Sequence, residues 1–149
     1  MQTAQDRSLT DIHVHFPGGK RIEAKVGVHH IVTDQTLAHG GDDSAPEPFE
    51  LFLASLATCA GLYVIGYCKS RGIRTEALEL VQHHQFDSAG HLLRVELEIL
   101  LPASFPDKDR VGVVRAAQSC KVKKTLFSPP EIVVNARSLP NDSAVSVTV

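Results

Sequence analysis

The chain has 149 residues and a mass of 16.2 kDa, which suits one domain spanning residues 1–149 with a sizeable core. Its 43% hydrophobic and 21% charged residues are globular in composition, and a net charge of −2 argues against the basic face of a nucleic-acid binder. Three cysteines are too few for a disulfide framework, and the first 16 residues carry no apolar stretch of a secretory signal, so a reducing, cytoplasmic setting is expected.

From Asp11 to Thr33, apolar and polar residues alternate about Phe16-Pro17-Gly18-Gly19. Ile12, Val14 and Phe16 share one face, and Ile22, Ala24 and Val26 repeat the pattern, which predicts a hairpin of two half-buried strands. A Gly- and Pro-bearing loop follows over 39–48. Phe49 to Ser70 then has no charge between Glu50 and Lys69 and is apolar on every side of a helix. The run sits at the lower limit of a membrane span, but Ser55, Thr58, Gly61, Gly66 and two tyrosines within it favour a buried central helix. In so short a chain, covering every side of that helix calls for a second subunit. An obligate homodimer is therefore expected, with no membrane partner.

Arg71-Gly72 is a stop signal, and 77–86 and 91–101 alternate about Asp87-Ser88-Ala89-Gly90 as a second hairpin. Its Val95, Leu97 and Ile99 oppose Arg94, Glu96 and Glu98, so one face is solvated. Phe105-Pro106-Asp107 opens a second helix with Val111, Val114 and Ala117 as its apolar stripe. Cys120 falls at or just past its end, Val122 and Leu126 indicate another helical turn, and 132–136 reads as a final strand after Pro129-Pro130. Strands, helix, strands, helix and strand give an α+β class.

Cys59 and Cys68 lie nine positions apart on the long helix, which is ~13 Å along its axis and on opposite faces, so they cannot pair while the helix exists. Either thiol alone reads as a small core hydrophobe before a functional group. Cys120 is flanked by Lys121, Lys123 and Lys124, a setting that biases a thiol toward thiolate but also describes an ordinary basic surface.

Gly40-Gly41, the run from Pro46 through Leu56, and Thr58-Cys59 resemble the central-helix signature of the OsmC/Ohr family. Ser119-Cys120-Lys121-Val122-Lys123-Lys124-Thr125-Leu126, some sixty residues on, resembles its second-cysteine motif. The likeness covers roughly residues 12–137. It implies antiparallel sheets wrapped around long central helices in an intertwined homodimer. It also implies reduction of organic hydroperoxides, with Cys59 attacking the peroxide and Cys120 resolving the sulfenic acid to a disulfide that a dithiol reductant reopens. The family's peroxidases activate the first thiol with a hairpin arginine held by a glutamate ten positions before the cysteine. Here those positions hold Lys20, with Arg21 beside it, and Phe49, while Lys121 stands where the family has proline. Adjacent strand residues face opposite ways, so only one of Lys20 and Arg21 can serve. Phe49, Phe52 and Leu56 are the expected walls of an apolar substrate pocket. The alternative function is an OsmC-like protein without efficient peroxidase activity that binds an apolar ligand or senses redox state.

No cofactor and no metal are expected. Gly18-Gly19 and Gly40-Gly41 are turn glycines without a phosphate-binding lysine at P-loop spacing. His13 and His15 sit opposite the apolar face of their strand, which makes them solvated side chains before metal ligands. His39, in the loop before the long helix, is a candidate base for Cys59.

Overall fold

A computed structural model describes residues 11–138 and the short strand at 147–148. The chain runs β1 (Ile12–Gly18), β2 (Arg21–Val26), β3 (His29–Thr33), α1 (Pro48–Ser70), β4 (Glu79–Phe86), β5 (Leu92–Leu100), α2 (Arg110–Gln118), α3 (Lys121–Phe127), β6 (Asn135–Ala136) and β7 (Val147–Thr148). Every strand pair is antiparallel, in sheets ordered β1-β2-β3, β4-β5 and β6-β7. The α+β class therefore holds.

The first sheet has three strands where alternation predicted two. Gly27, at φ +60°, turns the chain after Val26, so the second half of the alternating run doubles back as β3. Register places Ile12 opposite Val26 and Val14 opposite Ala24, which gathers the apolar residues on one face as the alternation required. Within one chain that face is open: Ile12 is 61% and Phe16 80% exposed.

α1 begins at Pro48, whose missing N–H is no loss in the first turn, and the Glu47 N–H donates to Glu50 Oε2 at 2.9 Å. It ends at Arg71, followed by Gly72 at φ +67°. Leu53, Leu56, Ala60, Val64 and Cys68 form its buried stripe at helical spacing. The opposite side is uncovered, with Leu62 at 66% and Ile65 at 51% exposure, and only 28% of its apolar window is buried. One chain therefore does not enclose α1 on all sides: α2, α3 and β4 pack against it and leave the Leu62 and Ile65 side open.

The core joins the α1 stripe to Phe105, Val113, Ala117 and Cys120, backed by Leu80, Leu97 and Ile99 of the second sheet. The predicted face of α2 needs correction. Val113 and Ala117, four apart, are buried, while Val111 and Val114 are exposed. The reason lies beside Val113: Gly112 packs so closely on α1 that a Cβ there would stand 2.0 Å from Tyr67 Oη. That hydroxyl donates to the buried carboxylate Asp109 at 2.8 Å, which fixes the rotation of α2. The final strand is also shorter than expected. Only Asn135–Ala136 pairs, and Ile132, Val133 and Val134 are exposed.

Candidate functional site

α1 carries Cys59, half-buried, one turn beyond Leu56. The chain breaks helical conformation between α2 and α3, and Cys120 occupies that break, almost wholly buried. Its Sγ accepts the Lys123 N–H at 3.4 Å, capping α3, and lies 3.9 Å from the Leu56 carbonyl oxygen. These contacts pin the start of α3 to α1 and bring the two thiols close enough for each to shift the other's acidity.

The two sulfurs are driven apart in acidity. Burial pushes the Cys59 thiol up, but the Val122 N–H, the Cys120 thiol, the Lys121 N–H and the Lys121 charge together outweigh it, leaving Cys59 below the ordinary thiol range. Cys120 goes the other way: burial raises it first, and its bond to Cys59 adds to the rise. The pair thus contains one thiol favoured as thiolate and one held as a proton donor. Such a separation suits a nucleophile and its resolving partner. Cys68, fully buried, is pushed up by burial and by the nearby Asp109, as an inert core thiol should be.

Within one chain the charge of Lys121 acts on Cys59, a residue outside the first hairpin where Lys20 and Arg21 were expected to serve. Lys20 and Arg21 sit exposed at the β1-β2 turn, and neither is among the main influences on Cys59 within one chain. Lys20 instead lies over the next loop, its Cε 4.0 Å from where a Cβ on Gly40 would stand. The signal for Lys121 was present in the sequence. A proline after the second cysteine has neither an N–H nor a charge, whereas Lys121 supplies both to the facing sulfur. Replacing Lys121 by Gln, which keeps the N–H, is expected to slow Cys59 alkylation at pH 7 several-fold and to move its pH profile upward. Lys121→Pro should do so more strongly. Iodoacetamide labelling rates across pH, read by mass spectrometry, check both.

Glu50 does not reach the thiols because it closes the first turn of α1. His39 is likewise engaged away from Cys59. Its Nδ1 meets Glu47 Oε1 at 3.0 Å and Thr36 Oγ1 at 3.1 Å, and its bond is the largest cause lowering the Glu47 carboxyl.

A cavity of about 380 Å3 opens beside the pair. Phe52 and Leu56 of α1, Leu97 and Ile99 of β5, and Leu126 and Phe127 of α3 supply most of its apolar wall. Cys120 forms part of that wall, and Cys59 is not among the residues that line it. Of the expected pocket residues, Phe52 and Leu56 line the cavity. Phe49 does not: it stacks on Phe52 with ring centroids 5.5 Å apart and remains half exposed. Among the described residues there is no grouping of His, Cys, Asp and Glu suited to a metal ion.

The family model for "OsmC-like protein" matches residues 41–135, a span that contains both cysteines. Among solved structures, the fold is similar to a putative osmotic stress induced and detoxification response protein from Psychrobacter arcticus. The TM-score is 0.68 at 21% identity, covering 78% of this chain and 88% of that one. A hypothetical protein from Aquifex aeolicus aligns with TM-score 0.64 at 13% identity, over 83% and 90% of the two chains. An organic hydroperoxide resistance protein OsmC from Legionella pneumophila, described also as a predicted redox protein, aligns with TM-score 0.52 at 16% identity over 78% and 88%. No curated protein matches.

Proposed function

The chain belongs to the OsmC-like protein family, and from that premise we propose that it is a thiol-dependent reductase of organic hydroperoxides. The observation that carries this reading is the placement of Cys120 in the wall of an apolar cavity, held against the Cys59-bearing helix at Leu56, with the acidity of the two neighbouring thiols shifted in opposite directions. The Cys59 thiolate attacks the terminal oxygen of the hydroperoxide, and the O–O bond breaks. The alkoxide leaves and takes a proton to become the alcohol, while Cys59 becomes a sulfenic acid. The Cys120 sulfur then attacks the Cys59 sulfur, an S–S bond forms, and the hydroxyl leaves as water. A dithiol reductant of a reducing, cytoplasmic compartment supplies two electrons and two protons to restore both thiols. Organic hydroperoxide resistance in the Legionella relative's description is consistent with this chemistry.

The purified protein with dithiothreitol should consume cumene hydroperoxide over many turnovers. A rate equal to that of dithiothreitol alone, with no sulfenic acid trapped on Cys59, would rule the proposal out. An apolar ligand bound without turnover would instead favour a binding or sensing role, to which Phe49 in place of the family's glutamate points.

The working unit in this proposal is a homodimer. The open faces of α1 and of the first sheet are apolar, and a second copy placed against them would enclose the central helix that one chain leaves uncovered. Light scattering should give twice the 16.2 kDa chain mass, and a monomer mass at micromolar protein would exclude it.

A further inference from the structure

The apolar cavity beside the thiols contains a single charged lining residue, Lys123. Lys121 and Lys124 on the same short helix are exposed, but Lys123 is half-buried, its stem laid into the cavity wall and its ammonium 6.0 Å from the centre of the Phe127 ring. A lysine so placed gives up hydration that its neighbours keep. Among the described residues no carboxylate is in an ion pair with Lys123. A cavity meant for wholly uncharged alkyl groups has no use for a cation at its rim. An amphiphile with an anionic head and an apolar tail would use both parts.

We propose that Lys123 is a specificity-determining residue that selects carboxylate-bearing apolar ligands, so that the preferred hydroperoxide is a free fatty acid rather than its neutral ester. The tail occupies the wall formed by β5 and α1, and the carboxylate accepts from the Lys123 ammonium. The Lys123 backbone N–H remains on Cys120 Sγ whatever side chain stands there, so substitution alters the head-group contact and leaves the cap in place. The inference rests on the hydroperoxide reading for its substrate but not for its binding preference.

The test compares linoleic acid hydroperoxide with its methyl ester in the wild type, Lys123→Gln, Lys123→Glu and, as a control, Lys124→Gln. The wild type should favour the acid in kcat/KM. The acid-to-ester ratio should fall roughly fivefold or more in Lys123→Gln, through KM, and further in Lys123→Glu, and stay unchanged in Lys124→Gln. A ratio near one in the wild type, or a ratio untouched by Lys123→Gln, overturns the proposal. If neither compound is turned over, the hydroperoxide reading fails on its own, and binding decides the present inference. Laurate should then displace the uncharged dye Nile red from the reduced wild type better than methyl laurate does, and lose that advantage in Lys123→Gln. Equal displacement by the two overturns it.

Discussion

Cys59→Ser is expected to reduce hydroperoxide turnover by at least ~10³-fold, to the background of reductant alone. Cys120→Ser is expected to stop repeated turnover yet still release about one equivalent of alcohol per chain, leaving a trappable sulfenic acid on Cys59. The asymmetry follows from the site rather than from the order of the cysteines in the chain. The Lys121 charge and the N–H groups of Lys121 and Val122 act on the Cys59 sulfur, while Cys120 is held toward its protonated form by burial and by Cys59 itself. Removing Cys120 also removes one of the influences that lower the Cys59 thiol, so the first-step rate in Cys120→Ser should fall modestly rather than vanish. Because Cys120 rather than Cys59 forms part of the cavity wall, the experiment also tests the direction of attack. Dimedone labelling followed by peptide mapping distinguishes the cases. Sulfenic acid on Cys120 in Cys59→Ser, with none on Cys59 in Cys120→Ser, would reverse the two roles.

The pH dependence carries the same sign. A thiol whose acidity is increased in the folded protein reacts as thiolate at lower pH than an ordinary cysteine, and the advantage disappears as pH rises into the usual thiol range, where free cysteine also ionises. In Lys121→Gln the rate should converge with wild type at high pH and separate from it near neutrality.

What the sequence disclosed and what it concealed divide along physical lines. Period-two alternation gave the strands, and the charge-free run from Leu51 to Cys68 gave α1 with its end at Arg71-Gly72, because burial against a layer imposes those periods. The turn at Gly27-Val28 was concealed because apolar alternation runs straight through it, and only the positive φ of Gly27 makes it a turn. The face of α2 was misread because Val111 and Val114 match helical spacing as well as Val113 and Ala117 do. A contact forty-five residues away, Gly112 on Tyr67, decides between them. The two thiols were legible as a pair only through a family likeness, since nothing local shows that the break between α2 and α3 meets α1. Their activating cation was sought where the family keeps it, on the first hairpin. Within one chain the charge that lowers the Cys59 thiol comes from the residue after Cys120.

Gly41→Ala is expected to be the most destabilising of the single-methyl changes in the loop ahead of α1. The added Cβ would stand 2.0 Å from the Gln35 carbonyl oxygen, 2.6 Å from its carbon and 2.9 Å from Asp34 Oδ1, and backbone atoms cannot swing aside as the end of a side chain can. The loop has little freedom to relax. The buried Asp34 carboxylate accepts from the N–H groups of Gln35, Asp42 and Ser44 at 2.8, 3.2 and 3.1 Å and from the Ser44 hydroxyl at 2.6 Å. Its own N–H bonds the Pro46 carbonyl, one residue before the capping Glu47, so this loop sets where α1 begins. Those donors, the Ser44 hydroxyl first, lower the Asp34 carboxyl to about 2. A carboxyl lowered on folding adds stability that is present above its ordinary value of 3.8 and is lost as pH falls toward 2. Displacing the loop forfeits that contribution along with the steric cost. Gly41→Ala should therefore lose roughly 2–4 kcal/mol, or ~5–15 °C in thermal midpoint at neutral pH, and the gap to wild type should narrow on approach to pH 2. Gly40→Ala, strained only by its φ of +78° because the new methyl would meet nothing nearer than Lys20 Cε at 4.0 Å, should lose nearer 1 kcal/mol. Thermal unfolding followed by circular dichroism at pH 7 and pH 3 measures both. Equal midpoints for Gly41→Ala and wild type would show that the loop yields and that its glycine was kept for the turn alone.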